Sequence, residues 1–163
     1  MRVVADASPL HYLILLECPH ILQTLFGRIP LPRAVAEELQ HPQTPAVVST
    51  WMARAPAWVD TRNVGTPPDT TLAHLDPGER EAITLAQALH ADLLLMDEWE
   101  GRREAERRSL TVTGVLGLLE RAAQQGLLDL PSALTRLQTT NFYAPARLIR
   151  DLLARDAARK RPM

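Results

Sequence analysis

The chain has 163 residues, 46% hydrophobic and 23% charged, with a formal net charge of −1. That length suits one domain with a real core, and the near-neutral charge excludes a global basic field for nucleic acid or anionic membrane. A phosphate-bearing substrate then needs a local basic patch or bound cations.

The single cysteine, Cys18, excludes an internal disulfide and a multi-cysteine zinc site, and it fits a reducing compartment. Its lack of sequence partners predicts a buried thiol. No apolar run approaches the roughly 20 residues of a membrane span, and no signal-peptide pattern precedes Asp6, so a cytoplasmic location is expected.

RVVAD (2–6) reads as a short buried strand, and Leu10, Leu13, Ile14 and Leu16 form an apolar helical face after it. Asp6 has two readings, a helix cap or a functional carboxylate. Ser8, directly before Pro9, offers a cap of its own. Pro19 interrupts this face, and residues 20–26 supply a short helix ending at Gly27. Residues 28–32 predict a brief strand, residues 33–40 and 44–54 two helices, residues 57–64 an edge strand and residues 65–71 a loop. LDPGEREAITLAQALHA (75–91) predicts a helix with Asp76 at its N-cap, Pro77 at its first position and Glu79 closing a capping box. ADLLLMD (91–97) is an apolar run ending on Asp97, as in a strand buried on both faces. A helix through residues 98–108, a strand at 110–114, a helix at 115–126 and two closing helices at 131–139 and 145–160 follow. The alternation predicts an α/β fold with a parallel sheet covered on both sides.

In such a sheet, functional groups gather beyond the carboxyl ends of the strands. VVAD and LLLMD both end on aspartate there, so Asp6 and Asp97 can meet on neighbouring strands. Glu79 lies in the first turn of the helix leading to Asp97, and Glu38 sits in AVAEEL after the second strand. Carboxylates brought together repel unless protonated or bridged by cations, and hard ions such as Mg²⁺ or Mn²⁺ prefer oxygen donors. Structural readings stand beside these. Asp76 with Glu79 and Asp97 with Glu100 each spell a capping box, and Glu98, Glu100, Glu104 and Glu106 alternate with arginines as on a salt-bridged exposed face. The histidines at 11, 20, 41, 74 and 90 show no ligand spacing. No nucleophile elbow, P-loop or dinucleotide fingerprint follows any strand.

The order VVADASPL, AVAEEL, LDPGEREAITLA, LLLMDEWEGRREA and LTVTGVLGLL resembles the PIN-domain superfamily, in particular short prokaryotic PIN-like proteins related to VapC toxin ribonucleases. The likeness covers about residues 2–130. It implies a three-layer α/β/α sandwich with a parallel sheet of about five strands, residues 1–163 forming one domain closed by the helices of 131–163. It also implies Mg²⁺- or Mn²⁺-dependent ribonuclease chemistry that leaves a 5′-phosphate and a 3′-hydroxyl. By the same resemblance, Asp6 is the first acid and Ser8 the small polar residue that helps hold it. Glu38 matches the second acid better than Glu37 does. The third is Glu79 or Glu81, with Glu79 preferred because Ala82, Ile83 and Ala86 follow it at the family's helical spacing. Asp97 is the fourth. The toxins usually carry aspartate at the third position and Thr-x-Asp at the fourth, where this chain has glutamate and Leu95-Met96-Asp97. RNA as substrate, a small antitoxin protein and a second copy in a homodimer are the implied partners.

Candidate RNA contacts are Arg102 and Arg103, with Arg107 and Arg108 beside them, or the basic C-terminus (Arg147, Arg150, Arg155, Arg159, Lys160, Arg161); a solvated helix face and a frayed basic tail are the structural reading with at least equal weight. Trp51, Trp58 and Trp99 are candidates for base stacking, although packing is the commoner role of tryptophan. Leu148, Ile149, Leu152 and Leu153 form an apolar stripe for the core or a second subunit. Two rival readings are a non-catalytic PIN-like module and a receiver-like phosphoacceptor. The second lacks paired acids after its first strand, since Ala7 and Ser8 stand there.

Overall fold

In the computed structural model, residues 1–65 and 69–162 are described, so Thr66, Pro67 and Pro68 of the expected loop lie outside the described residues. The chain divides into two compact units, Met1–Val115 and Leu116–Met163.

In the first unit, Val3–Ala5 form β1, Leu93–Leu95 β4 and Val112–Thr113 β5, joined in the order β1-β4-β5 with every pair parallel. Ala5 pairs with Leu95, and Leu95 with Thr113, so all three strands end at one level. β2 (Ile29–Pro32) and β3 (Val59–Arg62) form a second parallel pair. The five expected strands are therefore present and parallel, but in sheets of three and two. Prolines explain the split. Ile29 donates its N–H to Trp58 on the β3 side, so Pro30 and Pro32 alternate toward the other side, where they have no N–H to give. β2 packs beside β1 without a ladder.

Helices α1 (Ala7–Leu15), α2 (Ile21–Phe26), α3 (Arg33–Leu39), α4 (Ala46–Ala53), α5 (Pro77–Ala88) and α6 (Trp99–Arg107) cover these strands, completing the α/β/α class. Val4 and Leu94 pack with Leu72, Leu75, Ala82, Ile83, Ala86, Met96 and Ala105 in one core, where each large aliphatic side chain contributes roughly 1.5–3 kcal/mol. Arg108 ties this layer together. Its guanidinium donates to Asp69 at 3.0 Å, Thr71 at 2.6 Å and Glu104 at 3.1 Å.

Two cap expectations are corrected. α1 begins at Ala7 with Asp6 at the N-cap position, so Ser8 lies inside the helix. Pro9 is tolerated there because first-turn N–H groups have no intrahelical partner. The other correction concerns α6, whose N-cap is Glu98 rather than Asp97. Cys18 is only half-buried.

The second unit holds α7 (Val115–Gln124) from Leu116 onward, α8 (Leu130–Gln138) and α9 (Ala146–Lys160), with α8 packed on α9. Asp129 caps α8 through Ser132 N–H at 3.1 Å. Of the apolar stripe on α9, Ile149 and Leu152 are buried, while Leu148 is exposed. Much of the basic C-terminus is neutralised within this unit. Arg155 pairs with Glu120 at 2.9 Å, and Lys160 with Asp156 at 2.8 Å.

Candidate active site

Strand register builds the site. The Asp6 N–H donates to the Leu95 carbonyl at 2.8 Å, which holds the residue after β1 against the end of β4. The Met96 N–H donates to the Thr113 carbonyl at 2.9 Å, carrying Asp97 to the end of β5. Asp6 and Asp97 thus stand beyond the carboxyl ends of adjacent parallel strands.

Asp97 is held at one oxygen only. Its Oδ1 accepts from the Val115 N–H at 3.0 Å, while its Oδ2 is buried with no partner among the described residues. Gly114 makes this placement possible. A Cβ there would fall on Asp97 Oδ1 and lie 3.0 Å from Arg102 Nη1. Asp97 makes no capping box with Glu100. Its side chain turns into the cleft instead.

The other acids come from helices. Gly78, in the first turn of α5, gives the closest view of two of them: a Cβ there would stand 2.9 Å from Glu38 Oε2 and 3.4 Å from Asp6 Oδ1. Glu38 reaches in from α3, whereas Glu37 points to solvent beside Arg33. Glu79 is buried and completes the expected capping box: its N–H donates to Asp76 at 2.8 Å, and it accepts from the Asp76 N–H at 3.4 Å. Glu81 faces elsewhere, accepting from the Ala34 N–H at 3.1 Å to cap the start of α3. Ser8 makes no hydrogen bond to these carboxylates among the described residues.

Electrostatics follow from burial and crowding. Burial, with added repulsion from Asp76, Glu38 and Glu79, pushes Asp6 up to about 8, although the Ala7 N–H pulls the other way. Burial and then Asp76 raise Glu79. Glu38, exposed as a residue but shielded at its tip, is raised by that shielding and by Asp76 and Glu98. Asp97 rises to about 6, mainly through burial, with the Val115 N–H and Arg102 limiting the rise. Tyr12 on α1 is raised by burial and by the charges of Asp97 and Glu98.

Two acids were not recognised as site members from the sequence. Glu98 reads there as part of a solvated face, and Asp76 as a cap only. Their proximity to the strand-end aspartate and to the helix start was the signal available. Arg102 is the cation at this cluster, with Nη1 donating to the Met96 carbonyl at 3.4 Å. Arg108, engaged by Asp69, Thr71 and Glu104, is not free to meet RNA.

The donors are all oxygen, with one buried oxygen unpartnered, which fits a hard divalent ion that keeps several waters and touches only one or two carboxylates. No group of three or more His, Cys, Asp or Glu side chains among the described residues is disposed to hold an ion by itself.

Parallel strands that deliver acids to their carboxyl ends define an α/β protein with a carboxylate cluster at that edge. A family model described as a PIN domain matches residues 2–157, and the chain belongs to that family. PIN domains are generally nucleases and typically use divalent metals. No curated protein and no solved structure matches the chain. No helix among the described residues is long and apolar enough to cross a membrane.

Proposed function

We propose that the chain is a Mg²⁺- or Mn²⁺-dependent endoribonuclease, with Asp6, Glu38, Glu79 and Asp97 as its catalytic carboxylates, holding the ion directly or through water. Asp97 carries this reading: one oxygen is fixed by a backbone N–H while the other is buried and bare among the described residues, beside a strand-end Asp6 that no cation among them neutralises. When bound, the ion supplies charge that offsets these acids and the phosphodiester, and it activates water. The chain's own residues supply the rest. Asp97 Oδ2 offers an oxygen to the ion. Asp6 and Glu79 are raised toward holding protons near neutral pH, protons that a bound ion would displace. Glu38 closes the cleft from α3, and Arg102 offers a guanidinium to a phosphate beside Asp97.

Within this reading the whole chain acts as one cytoplasmic PIN domain. The VapC-like role, with an antitoxin partner and a homodimer, rests on the sequence resemblance.

One observation favours a second reading, a non-catalytic RNA- or protein-binding module: the carboxylates line the cleft without converging. Incubating purified protein with labelled RNA in Mg²⁺, Mn²⁺ or EDTA separates the two. The nuclease reading expects metal-dependent cleavage that Asp6→Asn and Asp97→Asn abolish. Binding without cleavage in either metal, or cleavage unchanged in both variants, overturns it.

A further inference from the structure

Of the three tryptophans, Trp51 and Trp58 lie against each other, with ring centroids 5.9 Å apart. Trp99 behaves differently. It is 65% exposed, although an exposed indole forgoes a large hydrophobic gain. It opens α6, two residues after Asp97 and directly after Glu98, whose charge reaches the site carboxylates. The Arg103 guanidinium, one helical turn along, lies over its ring at 4.5 Å from the centroid, so that cation takes one face of the indole. Arg102, on the same turn as Arg103, points into the site. Flat ring, flanking cation and carboxylate cleft therefore succeed one another over a few residues.

We propose that Trp99 and Arg103 form a stacking platform for an unpaired base next to the scissile phosphate. This rests on the nuclease reading for the position of the scissile phosphate. The base lies on the face of the indole opposite Arg103, the Arg103 guanidinium meets the adjoining phosphate, and Arg102 meets the phosphate nearer Asp97. Single-stranded nucleic acid is bound by this combination of aromatic faces and cations, and a base within a duplex cannot present its face. The acids on this turn do not oppose it. Glu98 belongs to the acidic cleft that a cation neutralises, and Glu100 is exposed to solvent.

The test is fluorescence anisotropy in Mn²⁺ with a labelled, cleavage-resistant oligouridine (2′-O-methyl, phosphorothioate), alone and annealed to its complement, together with steady-state cleavage of the unmodified RNA in Mn²⁺. Wild type should prefer the single strand. Trp99→Ala should weaken its binding about tenfold or more, while Trp99→Phe retains most of it. In cleavage, Trp99→Ala should raise KM with kcat largely kept. Equal Kd and KM in wild type and Trp99→Ala overturn the platform while leaving the nuclease reading intact. If wild type cuts no RNA but Trp99→Ala still loses single-strand affinity, the nuclease reading fails and the platform stands. Loss of a dimer in Trp99→Ala by light scattering, with RNA affinity unchanged, overturns the platform in favour of a protein contact.

Discussion

Asp6 and Asp156 are both buried, at 4% and 2% exposure, yet the chain treats them in opposite ways. Asp156 lies against Lys160 and Arg159, which hold it below its ordinary value. Asp6 has acids around it and is pushed up to about 8. A buried carboxylate paired within its own helix is a structural solution. One left among other carboxylates favours its protonated form, and in the proposed function an external cation would take the proton's place.

The largest effect that would sharpen this contrast concerns activity. Asp6→Asn and Asp97→Asn should each lower RNA cleavage by at least about a hundredfold, the upper range for losing even an outer partner of a metal site, measured by initial rates in Mn²⁺. Asp156→Asn should leave kcat unchanged.

Stability should move in opposite directions at the two residues. Between 3.8 and about 8, folded Asp6 keeps a proton that the unfolded chain has lost, so metal-free stability falls as pH rises through that window. Asp6→Asn should remove this slope and stabilise the metal-free chain at pH 8 by on the order of 2 kcal/mol. Asp156 contributes stability above its unfolded value of 3.8, and this is lost as pH falls through its lowered folded value. Asp156→Asn should therefore destabilise most at neutral pH. Urea melts at pH 5 and pH 8 read the Asp6 slope, and melts at pH 5 and about pH 2.5 read the Asp156 loss.

Gly114→Ala comes next. Its methyl group would displace the Asp97 carboxylate, costing about 1–3 kcal/mol of stability and most of the cleavage. Normal activity in a folded variant would show that Asp97 need not sit where it does. The smallest effect belongs to Glu81→Ala, which loses the cap on α3 for about 1 kcal/mol while cleavage persists.

Much of this was legible in the sequence where one local signal sufficed. VVAD and LLLMD announced strands ending on acids, and Asp76 with Glu79 announced the α5 capping box that the structure contains. Elsewhere a local motif had a distant competitor. Asp97 and Glu100 spell a capping box, but the chain stays extended through Glu98 (φ −61°, ψ 128°), so the helix starts one residue later and Asp97 faces the cleft. Glu81's partner is Ala34, 47 residues away, and no helical periodicity encodes that contact. Arg108 reads as a surface cation because, apart from Glu104 one turn back, its acceptors Asp69, Thr71 and Gln87 are distant in sequence. The division of the sheet was written in Pro30 and Pro32, although only the register shows which side their missing donors face.

Calorimetric titration of Mn²⁺ into metal-free protein near pH 7, repeated in two buffers of different ionisation heat, tests most directly whether the unneutralised acids await a cation. Wild type should bind the ion and release protons as Asp6 and Glu79 ionise, and Asp97→Asn should lose most of the affinity. Absence of binding, or the same affinity and proton release in Asp97→Asn, would contradict the account.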